Sequence, residues 1–463
     1  MPQAKIPPGP RGHFLLGCLP EYVRDTLDFM TRLAREYGDA ARFRLGRMPY
    51  YLFNHPDQIE EVLRTKSEHF IKDRPLQVTT SVLGRGLLTS EGQLWRRQRR
   101  LIQPAFLAQQ VHGYAPVMVE AAGRMLATWR DGQVRDIHAD LMRVTLDIVV
   151  RCLFGADLAG RTEGVVGAVR DLSDHFLNPL FWTPVLRSLP LPANLRYRRA
   201  VGLLDTIVYD LMDRGRGGGL APGSLLSRLL KVQQQEGSPT DKQLRDEVVT
   251  LLLAGHETTA LALSYASYLL AQHPQAEARL VAELEQVLGD RAPQVEDVPR
   301  LRYAEWVIKE AMRLYPPAWG LGREAVADCE IGGYHVPKGT QVLTIQWVVH
   351  RDPRWYEDPG AFRPERWADD LERRLPRCAY FPFGDGPRIC IGQQFALTEA
   401  VLVLATIARG HRLAPVDDEP LELVASITMR PRRGVTMQVQ DRRGQRAPEA
   451  VPSGACHVSA RNA

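Results

Sequence analysis

One cysteine near the C-terminal end stands where a thiolate could be made and used. The stretch Phe381-Pro382-Phe383-Gly384-Asp385-Gly386-Pro387-Arg388-Ile389-Cys390-Ile391-Gly392 sets it between turn-forming segments, just ahead of a helical pattern that opens Gln393-Gln394-Phe395. A thiol there meets the positive end of a helix dipole and free backbone N–H groups, and both favour the thiolate. The glycines let the backbone approach something flat and bulky. With Phe383 and Arg388 beside it, a lone thiolate suits a haem iron, where sulfur pushes electron density that favours O–O cleavage. The plain reading of a single cysteine is a buried thiol in a loop. Against it, the pattern Phe-Gly-x-Gly-x-Arg-x-Cys-x-Gly specifies six positions of ten.

A second group of reactive residues lies in the longest helical pattern, Leu244 to Leu270, as Ala254-Gly255-His256-Glu257-Thr258-Thr259. Glycine costs about 1 kcal/mol inside a helix and threonine is a poor helix former. Such breaches of local rules concentrate at functional sites. Small residues at Ala254 and Gly255 allow a flat ligand and dioxygen to approach. Thr258 can hydrogen-bond back to a carbonyl, open the helix locally and hold a hydrogen bond to the oxygen being activated. Glu257 can pass protons from solvent, a contribution typically worth about 10²–10⁴ in rate. A capped or kinked structural helix is the alternative. His256 is expected to face solvent or to be satisfied in the core.

At the cysteine loop the sequence resembles the cytochrome P450 family, the haem-thiolate monooxygenases, with no mismatch to that family's haem-binding pattern. The Ala254–Thr259 segment is similar to its oxygen-activation motif, with Glu in the acidic position. The resemblance covers about residues 6–440. It implies an α+β, mainly α-helical chain in the triangular haem-domain fold with a small β-rich region, haem b as cofactor, and Cys390 as the metal ligand. It implies a monooxygenase that takes two externally supplied electrons and hydroxylates a lipophilic small molecule: a fatty acid, terpenoid, steroid or aromatic natural product. A peroxide-driven haem enzyme or haem-thiolate isomerase is the rival, disfavoured by the acid–alcohol pair. A non-catalytic haem sensor would need Cys390 but not Glu257 and Thr258.

Other residues serve as anchors. Trp95 and Arg99, four apart, share a helix face and could clamp a haem propionate, with Arg388 and Arg323 taking the rest; Phe383 and Gly392 complete the expected cofactor contacts. Glu310 and Arg313, three apart, share a face. With Arg366 they resemble the family's structural Glu-Arg-Arg triad, expected to hold the proximal side together. By the resemblance, the substrate pocket is lined by segments Val78–Leu88, Phe176–Leu191 (with Phe181 and Trp182), Pro317–Leu321 (with Trp319) and Ser426–Met429.

Several elements must position these groups. A helix is expected over Asp25–Tyr37, a hairpin over Ala41–Phe53, a helix over Pro56–Thr65 and a loop over Lys72–Gly92. Long helices follow to Gln272, broken near 179–193 and 214–223, and short strands run from Glu330 to Thr344. The 463 residues allow a large core, but motifs spanning Trp95 to Gly392 that converge on one cofactor require one fold, taken as residues 1–440. The Arg-, Pro- and Ser-rich stretch 441–463 reads as a disordered tail.

Apolar content of 44% and charged content of 24% are ordinary for a globular chain, and a net charge of +5 does not argue for nucleic acid. The run Trp95-Arg96-Arg97-Gln98-Arg99-Arg100 is either a solvated helix face or a patch for an acidic electron donor. Six cysteines without a C-x-x-C pair fit a reducing cytoplasm. No 18-residue apolar run is present, so a soluble, bacterial-type enzyme without a membrane anchor is expected. Its electrons are expected from a separate ferredoxin or flavodoxin with an NAD(P)H reductase.

Overall fold

The structure is a computed structural model that describes residues 5–158, 160–177, 189–417 and 419–442. Helix α1 (Thr26–Tyr37) forms as its pattern requires: Asp25 caps it by accepting from the Asp28 N–H at 2.9 Å, Leu27, Phe29, Met30 and Leu33 bury one face, and Gly38 at φ 79° ends it. Strands β1 (Ala40–Leu45) and β2 (Met48–Phe53) make the expected hairpin, turned by Gly46 at φ 61°. Strand β3 (Phe70–Lys72) follows. The segment expected as a loop over 72–92 is instead partly helical, with short turns at Arg74–Val78 and Thr80–Leu83. Pro75 sits in the first turn of the former, where its missing N–H is no loss.

Helices α2 (Gly92–Ile102), α3 (Ala108–Leu126) and α4 (Ile137–Val149) come next, with strand β4 (Val134–Asp136) between the last two. Helices α5 (Thr162–Leu177), α6 (Pro192–Arg216) and α7 (Leu225–Glu236) lead to α8 (Asp241–Gln272), the 32-residue helix that carries Glu257 and Thr258. A capping box starts α8: the Thr240 hydroxyl accepts from the Gln243 N–H while the Gln243 side chain accepts from the Thr240 N–H. Burial all round α8 makes it the central helix of the core. Helices α9 (Pro274–Leu288) and α10 (Arg302–Leu314) pack beside it.

Strands β6 (Cys329–Ile331), β7 (Tyr334–Val336) and β8 (Gln341–Thr344) occupy the expected strand region, while β5 (Leu321–Ala325) precedes it and was not expected. Helix α11 (Gln393–Gly410) follows the cysteine loop. Strands β9 (His411–Pro415), β10 (Leu423–Ala425), β11 (Met429–Pro431) and β12 (Thr436–Asp441) close the described chain. The main sheet has the order β1-β2-β8-β5-β3, with only the β2/β8 pair parallel. The order β4-β12-β9 makes a second sheet, and β6–β7 and β10–β11 are separate ribbons.

The chain is thus mainly helical with small sheets, as expected. Asp441 and Arg442, expected in the tail, are bonded to the fold: Asp441 ends β12, its N–H donating to Asp131 at 2.8 Å, and the Arg442 N–H donates to the Gly410 carbonyl at 3.0 Å. Residues 443–463, like Phe181 and Trp182, lie outside the described residues. No helix among those described is long and apolar enough to cross a membrane.

Candidate active site

A cavity of about 1510 Å³ gathers the residues singled out above. The cysteine loop supplies Phe383, Arg388, Cys390 and Gly392; α8 supplies Ala254, Gly255, Glu257 and Thr258; α2 supplies Trp95 and Arg99; β5 supplies Arg323. Local sequence explains the loop. Gly384 and Gly386 adopt φ 73° and 69°, and a Cβ on Gly386 would collide with the Leu63 carbonyl. The Cys390 N–H donates to the Phe383 carbonyl at 2.9 Å, closing the loop under the cavity. Gly392 is different: its φ is −91°, and an added Cβ would only touch Phe106 at 3.6 Å and the Cys390 Sγ at 3.9 Å.

The thiol corrects one expectation. The Gly392 N–H and the Arg99 charge do favour the thiolate, but burial outweighs them and raises the Cys390 pKa. The helix end alone does not ionise this cysteine; a coordinated metal would, since a coordinating thiol loses its proton outright.

Above the thiol, α8 departs from expectation twice. Thr258 Oγ1 does donate to the Ala254 carbonyl, at 2.9 Å, yet the helix stays α-helical from Asp241 to Gln272 and no local opening forms. Gly255 borders the cavity, but a Cβ there would point at Val149 Cγ2, 3.0 Å away. Its missing side chain serves the packing of α8 against α4; Ala254 and Thr258 are the small and hydroxyl groups on the cavity side. His256 is fully buried, pairs through Nδ1 with the Leu252 carbonyl at 2.6 Å, and is pushed down to about 4 by burial. It is a core residue, one of the two expected alternatives. Glu257 is held off its own helix: Thr428 Oγ1 donates to its Oε1 at 2.9 Å, and burial raises the carboxyl pKa against the opposing effects of Thr428 and Arg430.

At the cavity's other end lies a group of cations. Arg99 Nη1 donates to the Ile389 carbonyl at 2.8 Å. The Arg388 guanidinium stacks 4.2 Å from the Trp95 ring, donates to the Ser90 carbonyl at 2.6 Å and pairs with Glu91. Arg388 is therefore already neutralised by a carboxylate that the sequence reading missed. Arg323 is buried and held down to about 10 by that burial, with the Arg388 charge adding to the effect and Asp73 and Glu91 opposing it. Sequence reasoning also missed Lys72. It is 8% exposed, lines the cavity and stands directly opposite Arg323 in the β3/β5 register. Among the described residues neither Lys72 nor Arg323 makes an ion pair. Like charges facing each other across a strand pair are destabilising, and for Lys72 the nearby carboxylates Glu91 and Asp73 do not offset burial and the charges of Arg323 and Arg388.

These features fit haem b. A thiol open to an apolar cavity faces a small-residue helix face, and a cation cluster with more positive than negative charge lacks what two propionates would supply. Lys72 would have been hard to find: it ends an apolar strand, Phe70-Ile71-Lys72, and only the sheet register brings it opposite Arg323.

Behind the cavity the expected triad is formed and enlarged. Glu310 accepts from Arg313 Nε at 2.9 Å and Nη2 at 2.8 Å, from Arg366 Nε at 2.8 Å, and from two further donors, Trp367 Nε1 at 2.9 Å and the Arg363 N–H at 3.0 Å. Glu310 and Arg313 are fully buried, and Arg313 also donates to the carbonyls of His350, Pro359 and Ala361. Of the expected pocket walls, Val78–Leu88, Pro317–Leu321 and Ser426–Thr428 contribute lining residues, and Phe176 does so from α5. Trp319 is pinned there by its Nε1 donating to the Ser426 carbonyl at 2.7 Å.

The family model described as Cytochrome P450 matches residues 7–437. The chain is 37% identical to "Cyclooctatin synthase" of Streptomyces melanosporofaciens, over 88% of each chain. It is 36% identical to "Cyclooctat-9-en-7-ol 5-monooxygenase" of the same organism, over 87% of this chain and 88% of that one. It is also 36% identical to "Pentalenene oxygenase" of Streptomyces avermitilis, over 89% of this chain and 92% of that one. With the thiol, the small-residue helix face and the cation cluster gathered on one cavity, these matches show that the chain belongs to the cytochrome P450 family, as a monooxygenase of a lipophilic substrate that carries haem b on an axial cysteine thiolate.

Proposed function

We propose that this enzyme hydroxylates a terpenoid, in the cytoplasm, with electrons from a separate ferredoxin or flavodoxin and its NAD(P)H reductase. The reading rests on one observation: a single cavity joins the Cys390 thiol, the Ala254/Thr258 face of α8 and a pocket walled by Leu83, Leu87, Leu172, Trp319 and Ile427. An apolar, aromatic pocket of this kind suits a polycyclic hydrocarbon skeleton. The printed activities of the relatives from Streptomyces point to the same class.

Cys390 would hold the haem iron through its sulfur in this reading. Trp95, Arg99, Arg323 and Lys72 would hold the haem propionates, while Arg388, paired with Glu91, anchors the loop. When bound, haem supplies the iron at which dioxygen is reduced. The chain's own residues do the rest. Ala254 leaves room at the α8 face. Thr258 presents a hydroxyl that can turn from the Ala254 carbonyl to hydrogen-bond dioxygen. Glu257 is shifted toward its protonated form by burial and passes protons toward the cavity. The apolar walls exclude water and hold the substrate near the oxygen. Arg96 and Arg100, exposed on α2, form the docking face for an acidic carrier.

The test is a spectral screen of the purified holoenzyme against cyclic terpene hydrocarbons and alcohols, fatty acids and steroids. A low- to high-spin shift with terpenoids at micromolar concentration, and not with fatty acids or steroids, is expected. A shift confined to fatty acids or steroids refutes the substrate class. Absence of the red-shifted Soret band in the reduced, CO-bound state refutes Cys390 as ligand.

A further inference from the structure

The structure assigns Thr428 as the positioning residue for Glu257, on a hairpin whose Arg430, paired with Asp174, acts on the same acid. The inference rests on the proposed proton role of Glu257 and extends it. Glu257 and Thr258 are consecutive on α8, so their side chains leave the helix about 100° apart and cannot share a face. Something outside α8 must hold the acid. The turn between β10 and β11 does so, with the Thr428 hydroxyl 2.9 Å from Glu257 Oε1.

That turn is fixed on several sides. The Met429 N–H donates to the Pro317 carbonyl at 2.8 Å, and the Tyr265 hydroxyl donates to the Met429 carbonyl at 2.7 Å. Trp319 Nε1 donates to the Ser426 carbonyl at 2.7 Å. A side chain supported in this way can define the orientation of the group it touches. Two residues beyond Thr428, Arg430 pairs with Asp174 of α5; the Arg430 side chain is 15% exposed and that of Asp174 61%. The groups that act on the acid are few. Burial raises its pKa, and Thr428 and Arg430 of the hairpin oppose that rise; Tyr265, on the acid's own helix, is the other titratable group coupled to it. Thr428 therefore holds the acid directly, and Arg430, paired with exposed Asp174, acts on it from the same hairpin through its charge.

The chemistry balances. A C–H substrate, O₂, two electrons from the external carrier and two protons give an alcohol and water. The protons pass inward through Glu257, whose direction of transfer is set by the hydrogen bond from Thr428; Arg430 keeps its own proton and acts on the acid only through its charge. The same turn places Ile427 and Thr428 on the substrate cavity, so the residue that orients the acid also borders the substrate.

The test compares Thr428→Val, which keeps shape and removes the hydroxyl, with Thr428→Ser, which keeps the hydroxyl, in the holoenzyme. The first readout is the infrared carbonyl band of the protonated Glu257 carboxyl, identified by its loss in Glu257→Gln. In Thr428→Val the band is expected to shift in frequency and to persist to higher pH, because a group favouring the charged form is gone. In Thr428→Ser it is expected to stay as in the wild type. The second readout is NAD(P)H consumed per hydroxylated product, expected to worsen roughly three- to tenfold in Thr428→Val, the range of one lost hydrogen bond, and to recover in Thr428→Ser. An unchanged band in Thr428→Val overturns the inference, whatever happens to coupling, since Thr428 would then act only as a substrate contact. Normal coupling in Glu257→Gln overturns instead the proton role of Glu257 on which the inference rests.

Discussion

Lys72 offers a sharp test of the cation cluster. It faces Arg323 across the β3/β5 pair and is buried beside Arg388 and Asp73. Two like charges roughly 6–8 Å apart, at the effective dielectric of about 20 suited to protein sites, repel by about 2–3 kcal/mol. A propionate between them reverses the sign: one hydrogen bond to a charged partner is worth about 1.5–3 kcal/mol. Lys72→Met keeps the apolar stem and removes the charge, so the haem-loaded and haem-free proteins should respond in opposite directions. Haem dissociation, followed by transfer to an excess of a haem-accepting globin, is expected to quicken about 10- to 100-fold, with Lys72→Arg recovering most of the loss. The apoprotein is expected to gain about 1–3 kcal/mol, as buried charges replaced by apolar groups often do. pH adds a further check. Burial and the neighbouring arginines hold the folded-state pKa of Lys72 well below its ordinary value, so the unfolded chain binds this proton more tightly. Apoprotein stability therefore rises with pH up to the ordinary lysine range, and this contribution vanishes in Lys72→Met. Equal haem retention in wild type and Lys72→Met, or parallel destabilisation of both forms, would refute the assignment of an anion to this cluster.

Three other outcomes follow from the geometry. Glu310→Ala leaves the buried guanidinium of Arg313 and that of Arg366 without their shared carboxylate; a loss of about 3–5 kcal/mol should leave little haem-loaded protein, measured as haem per chain after purification. Gly255→Ala sets a methyl 3.0 Å from Val149 Cγ2; overpacking of about 1–3 kcal/mol is offset by about 1 kcal/mol of helix propensity, so a small loss in melting temperature is expected, relieved by adding Val149→Ala, whereas a change in oxygen coupling without a change in stability would return Gly255 to the oxygen site. Glu247 is pushed up to about 8 by burial while its Oε2 accepts from the Leu87 N–H at 2.9 Å. Its stabilising contribution is complete below the ordinary glutamate pKa near 4.3 and is lost as pH rises through about 8, so denaturant midpoints of the wild type should fall between pH 5 and 8 relative to Glu247→Gln.

What the sequence made legible was local. Glu310 and Arg313 are one helical turn apart, the cysteine loop is a contiguous run, and α1, α8 and the β1–β2 hairpin follow from periods and turn residues. What stayed hidden depends on contacts across long separations. Arg388 was read as a free cation for the cofactor, but Glu91, 297 residues away, neutralises it. Thr428 reaches Glu257 across 171 residues. Lys72 meets Arg323 only because β3 adds to β5 in a particular register. Gly255 borders the cavity as expected, but the reason it must lack a side chain, the packing of α4 through Val149, cannot be read from a motif. Cys390 shows the same effect in its protonation state. The N–H groups that favour its thiolate are encoded next to it, whereas the burial that outweighs them comes from the assembled fold. A motif therefore names the groups that react, while the partners that fix their charge and direction come from elements whose register only packing decides. Thr428 and Lys72 belong to this second set, and substitutions there separate the two contributions: each leaves the motif intact and changes the charge state of what the motif holds.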